Sequence, residues 1–123
     1  MKPTLLIVDD CAAARATLRA LVENDFRVVG EARDGADALA QCRELSPDIV
    51  LMDAAMPRMS GIDATRLILE SVTPRPCIVM VSGLPDESVA LQAFEAGASD
   101  YLVKPVEGNA LREVLHRLLK RAA

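Results

Sequence analysis

Ile49-Val50-Leu51-Met52-Asp53 decides the reading of this 123-residue chain: four apolar residues in a row, then a carboxylate. A short unbroken apolar run suits a strand buried on both faces, and the abrupt polar stop marks its carboxyl end. The same figure recurs on either side. Leu5-Leu6-Ile7-Val8 stops at Asp9-Asp10, Ile78-Val79-Met80-Val81 at Ser82-Gly83, and Tyr101-Leu102-Val103 at Lys104-Pro105. Strands are expected near 4–8, 27–32, 48–52, 77–81 and 100–103, with helices near 11–23, 35–45, 61–71, 86–97 and 107–121. Leu111, Leu115, Leu118 and Leu119 form one helical face, and Ala14, Leu18, Leu21 and Val22 form another. Asp34 and Ser60 stand where N-caps are wanted, and Gly97 where a helix should close. Five βα units in this length predict a doubly wound α/β sheet with helices on both faces, one domain over 1–123.

Composition narrows the function. Hydrophobic residues make up 51 % of the chain, too many for a disordered segment. No apolar run approaches the ~20 residues of a membrane span. Met1-Lys2-Pro3-Thr4 opens without a signal-peptide core, so a cytoplasmic location is expected. A net charge of −4 argues against direct nucleic-acid binding. Cys11, Cys42 and Cys77 form no CxxC pair and read as reduced thiols. His116, the only histidine, is expected at the surface. Met1–Thr4 and Lys120–Ala123 are expected to fray.

In an open α/β sheet, ligands bind beyond the carboxyl ends of the strands. Asp9, Asp10, Asp53, Ser82 and Lys104 all fall there, so three carboxylates, a hydroxyl and an ammonium should share one crevice. Singly, each has a plain alternative: a helix cap, a turn residue, a loop dipeptide. The joint placement discriminates, and it points to phosphoryl chemistry on an aspartate.

The order and spacing of these residues resemble the receiver domain of two-component response regulators, the CheY-like family. The resemblance spans residues 4–121 and rests on Asp9-Asp10, on Asp53-Ala54-Ala55-Met56-Pro57-Arg58-Met59-Ser60-Gly61, on Ser82, and on Tyr101-Leu102-Val103-Lys104-Pro105. It implies a flavodoxin-like (βα)5 fold with strand order 2-1-3-4-5. It implies Asp53 as acceptor of a phosphoryl group from a histidine kinase or phosphotransfer protein. Mg²⁺ would be held by Asp10, Asp53 and the Ala55 backbone carbonyl, with Asp9 acting mainly through water. Lys104 would clamp the phosphoryl oxygens and Ser82 would donate to them. Tyr101 matches the switch aromatic, and the Lys104-Pro105 bond is expected to be cis.

The output face implied is the fourth helix, fifth strand and fifth helix, residues 86–121, offered to a downstream protein or output domain. Ala110 and Val114 stand where dimerising relatives carry an acid and an arginine, and Val106 replaces a common Phe. A monomer or weak dimer is therefore expected. Met80-Val81-Ser82-Gly83-Leu84 and Ala96-Gly97-Ala98-Ser99-Asp100-Tyr101 look closer to chemotaxis-type receivers, including that of the chemotaxis methylesterase. Ala55 and Leu84 offer no polar side chain to a hydrolytic water, so phosphate loss is expected to be slow. Two other readings compete. A haloacid-dehalogenase-type phosphatase would want Asp-x-Asp where this chain has Asp9-Asp10-Cys11. A docking module that has lost phosphorylation would not need the full acid set with Lys104.

Overall fold

A computed structural model describes residues 2–83 and 86–122, with side chains for all of these except Ala122. The elements alternate strictly: β1 (Thr4–Val8), α1 (Ala12–Val22), β2 (Arg27–Ala32), α2 (Gly35–Leu45), β3 (Ile49–Asp53), α3 (Gly61–Ser71), β4 (Cys77–Ser82), α4 (Glu87–Glu95), β5 (Asp100–Val103) and α5 (Gly108–Ala122). The strands form one parallel sheet in the order β2-β1-β3-β4-β5. Expected and observed elements agree within two residues at each end.

Alternation along each strand sorts the core into two layers. Leu5, Ile7, Ile49, Leu51 and Val79 pack with Leu18 and Val22 of α1 and Leu111, Leu115 and Leu118 of α5. Leu6, Val8, Val50, Met52, Ile78 and Met80 pack with Ala38 and Cys42 of α2, Ala64 and Ile68 of α3, and Ala93 of α4. Small residues on that second layer let three helices sit close to the sheet. Burial pushes the Cys42 thiol up to about 11, so it is an inert packing group, as expected. Val114, which stands where dimerising relatives carry an arginine, is a core residue beside Leu115.

The helix ends follow the side-chain chemistry. Asp34 accepts from the Asp37 N–H at 2.8 Å and Ser60 from the Asp63 N–H at 3.1 Å, satisfying donors that the helix leaves open. Gly97 adopts φ +109° and closes α4 with two bonds, Gly97 N–H to Phe94 O and Ala98 N–H to Ala93 O. Thr4 does not fray: it exchanges hydrogen bonds with Asp48, which lies ahead of β3. Lys120 and Arg121 belong to α5. His116 is exposed, with its ring 5.9 Å from that of Phe26. Cis peptide bonds occur at Thr73-Pro74 and, as expected, at Lys104-Pro105.

Thr65 lies fully buried on α3, and its Oγ1 has no hydrogen-bond partner among the described residues. A buried hydroxyl without a partner forfeits its hydration. Thr65→Val keeps the shape and removes the hydroxyl, so it should raise stability by about 1 kcal/mol. A urea midpoint that falls instead would mean the hydroxyl is satisfied.

Candidate functional site: an acidic pocket at the carboxyl edge of the sheet

Register brings the charged residues together. Ile7 pairs with Leu51, so Asp9, two residues on, comes alongside Asp53. Val81 pairs with both Asp53 and Leu102, and Lys104 follows Leu102 by two. By parity Asp9, Asp53 and Lys104 all point to the α1/α5 side of the sheet. Ser82 follows Ile78 and Met80 on the other side, and Tyr101 pairs with Met80 there. The strand ends are hooked together beyond the apolar runs: Asp9 N–H to Ala32 O, Ala54 N–H to Val81 O, and Lys104 N–H to Ser82 O.

Asp9 is 1 % exposed and Asp53 6 % exposed, whereas Asp10 is open to solvent. One carboxylate oxygen from each of the three lies within 4.8 Å of the others. Asp9 is already partnered on both oxygens: Oδ1 accepts from the Cys11 N–H at 2.9 Å, and Oδ2 meets Lys104 Nζ at 2.7 Å. The ammonium is 3.6 Å from Asp53 Oδ1, which also accepts a 3.4 Å bond from the Ala55 N–H. Burial, and after it the Asp9 carboxylate, push Asp53 up to about 6; Lys104 and the Ala55 N–H pull it down, and Asp10 adds to the rise. Burial alone would lower Lys104, but its bond to Asp9 and the charges of Asp53 and Asp9 raise it. Hard oxygen donors crowded at like charge suit a small divalent cation, so the donor set fits Mg²⁺.

Asp9, Asp10, Asp53, Ser82 and Lys104 lie at this edge, with Ala55 and Pro105 next to it, while Tyr101 sits further down β5, paired with Met80. Ser82 is fully buried, and Tyr101 is half-buried against the α2–α4 layer. Leu84 lies outside the described residues.

One support was missed. Arg15 Nη1 donates to the Asp9 carbonyl at 2.7 Å, while Arg15 and Arg19 grip the two oxygens of Glu31 at 3.0 Å each. The clamp ties α1, β1 and β2 around the peptide that carries Asp10. A glutamate inside the β2 pattern, with arginines four apart in the first helix, was the available signal.

The sequence profile of the response regulator receiver domain matches residues 5–116. The chain is a member of that receiver-domain family. It is 39 % identical over 120 residues to the chemotaxis protein CheY of Bacillus subtilis (strain 168), covering 97 % of this chain and 99 % of that protein. It is 37 % identical to the protein-glutamate methylesterase/protein-glutamine glutaminase of Thermotoga maritima, covering 95 % of this chain but 35 % of that protein. Among solved structures, a LuxR-family two-component response regulator from Aurantimonas sp. SI85-9A1 superposes with a TM-score of 0.90 at 34 % identity, covering 98 % of this chain and 86 % of that one. The fold and CheY-like kinship expected from the motifs are thus established. No helix among the described residues is long and apolar enough to cross a membrane.

Proposed function

We propose that the chain is one receiver unit over 1–123, a cytoplasmic switch set by phosphorylation of Asp53. The observation that carries this is the convergence of Asp9, Asp10, Asp53 and Lys104 on one pocket. An Asp53 carboxylate oxygen attacks phosphorus as the phosphorus–nitrogen bond of a partner's phosphohistidine breaks, its electron pair returning to the imidazole. Mg²⁺, when bound, neutralises charge between the acids and the phosphoryl oxygens. Asp10, Asp53 and the Ala55 carbonyl would hold it directly, and Asp9, with both oxygens engaged, through water.

Lys104 then offsets charge on the phosphoryl group, and the Ser82 hydroxyl donates to it. Tyr101 responds to Ser82 across one strand, since its pairing partner Met80 is two residues earlier on the same face. Phosphorylation would shift a pre-existing balance of Tyr101 positions. Output passes to a downstream protein at the face formed by α4, β5 and α5. Leu91, Phe94 and Val103 are 60 %, 47 % and 42 % exposed there, which supports a protein-binding surface on a monomer or weak dimer.

Acetyl phosphate with Mg²⁺ tests the reading. Mass spectrometry should find one added phosphoryl group, on the peptide containing Asp53, and none in EDTA. No incorporation would favour a docking module; rapid release of phosphate would favour a phosphatase. Once donor is removed, the acyl phosphate should decay slowly, because the Ala55 side chain offers no polar atom to water. Ala55→Asn should hasten the decay severalfold, and an unchanged lifetime would remove that explanation.

A further inference from the structure

Asp10 also borders a second space. A cavity of about 400 Å³ is lined by Asp10, Arg33, Asp34, Pro57 and Arg58. Its two arginines come from separate loops, Arg33 between β2 and α2 and Arg58 between β3 and α3. Neither has an ion-pair partner among the described residues, whereas Arg15, Arg19, Arg66 and Arg117 all do. The Asp34 carboxylate is engaged as the cap of α2.

The loops are fixed to one another. A Cβ on Gly35 would sit 2.6 Å from Met59 Sδ, so Met59 lies directly on the glycine and fastens the β3–α3 loop to the start of α2. Arg58 has φ +70°, and Met59 N–H bonds back to Pro57 O at 2.8 Å, making a γ-turn centred on Arg58. A residue with a Cβ rarely adopts that conformation, and the turn bond together with the seat of Met59 on Gly35 holds it here. Two unpaired guanidiniums are thus presented beside Asp10, one of the three carboxylates of the acidic pocket. A dianion approaching the acids alone is repelled; two guanidiniums at the rim weaken that repulsion.

We propose that Arg33 and Arg58 form an anion-recruiting subsite that draws small dianionic acyl phosphates to the acidic pocket. The proposal rests on Asp53 being the phosphoacceptor. In the transfer, an Asp53 oxygen bonds to phosphorus as the bond from phosphorus to the acyl oxygen breaks. That oxygen keeps the electron pair and leaves as carboxylate, so no proton is required. The arginines act on capture, not on bond breaking.

Two measurements decide it. In Asp53→Asn protein with Mg²⁺, titration with inorganic phosphate should shift the Nε–H resonances of Arg33 and Arg58 along one binding curve, leaving that of Arg66 in place. Shifts no larger than Arg66's overturn the subsite. With acetyl phosphate, the Arg33→Gln/Arg58→Gln double variant should need roughly 3- to 10-fold more donor for half-maximal rate. Its rate at saturation should be unchanged and its salt dependence flatter. The double Lys variant should restore most of the affinity. Unchanged half-saturation would overturn the recruiting role even if the resonances move. Failure of the wild type to take phosphate on Asp53 would fell the phosphoacceptor reading, while the titration would still decide the subsite.

Discussion

Asp53→Asn is expected to abolish phosphoryl incorporation and, at the same time, to make the metal-free fold more stable at neutral pH. The second effect follows from burial beside Asp9, which raises the carboxyl to about 6, above the ordinary value of 3.8. A group raised by folding supports the fold while protonated, below its unfolded pKa, and that support is lost as pH rises through the folded value. By pH 7 the ionised Asp53 therefore costs the fold on the order of 2 kcal/mol. Asparagine keeps the shape and does not titrate.

Urea denaturation in EDTA should thus show the variant ahead of wild type near pH 7, with the gap closing towards pH 4. Adding Mg²⁺ at pH 7 should narrow the gap from the other side, since a cation that binds the folded acids stabilises wild type by mass action. A gap that stays constant with pH would mean Asp53 carries no electrostatic burden. A variant less stable than wild type at neutral pH would mean that Lys104 needs Asp53 more than Asp9 repels it.

How much of this was legible depended on whether a feature lies in side-chain pattern or in backbone geometry. The apolar runs placed four of the five strands, yet they ended β3 at 52 and β4 at 81, because a hydropathy pattern stops at the first polar residue. The ladder does not: Asp53 and Ser82 are paired strand residues, and their neighbours Ala54 and Lys104 still bond to β4. That one-residue difference places both site residues inside the hydrogen-bonded ladder. Lys104 was read through the phosphoryl group it would meet, whereas its shortest contact here is with Asp9. The resting pocket is therefore an Asp9–Lys104 pair with Asp53 beside it. The Arg15–Glu31 clamp and the rim arginines stayed hidden because their meaning lies in which loops the topology brings together. Glu107 was missed for a local reason: it caps α5 by accepting from the Asn109 and Ala110 N–H groups, and a glutamate is an uncommon cap. The cis bond at Thr73-Pro74 had no counterpart in the pattern at all.

Gly61→Ala should be among the most damaging single changes in the chain, although alanine is the better helix former. Gly61 opens α3, and its N–H donates to the Ala54 carbonyl at 2.9 Å, closing the Asp53–Gly61 loop on itself. A Cβ there would fall well inside 3.0 Å of the Asp53 carbonyl oxygen, with the Ala54 Cα 3.0 Å away. Those are backbone atoms, so no side-chain rotation relieves the clash; either α3 or the end of β3 must move. The helix-propensity gain is about 1 kcal/mol, while forcing a buried methyl against fixed backbone costs roughly 3 kcal/mol or more. The net effect should be a loss of about 2 kcal/mol or more in urea denaturation. Any relief that displaces Asp53 must also displace it from Asp9 and Lys104, so Mg²⁺ affinity and the rate of acetyl phosphate uptake should fall together. A Gly61→Ala protein with wild-type stability and metal affinity would show that the loop has slack, and that the glycine four residues beyond Pro57 is not what sets the position of the acceptor.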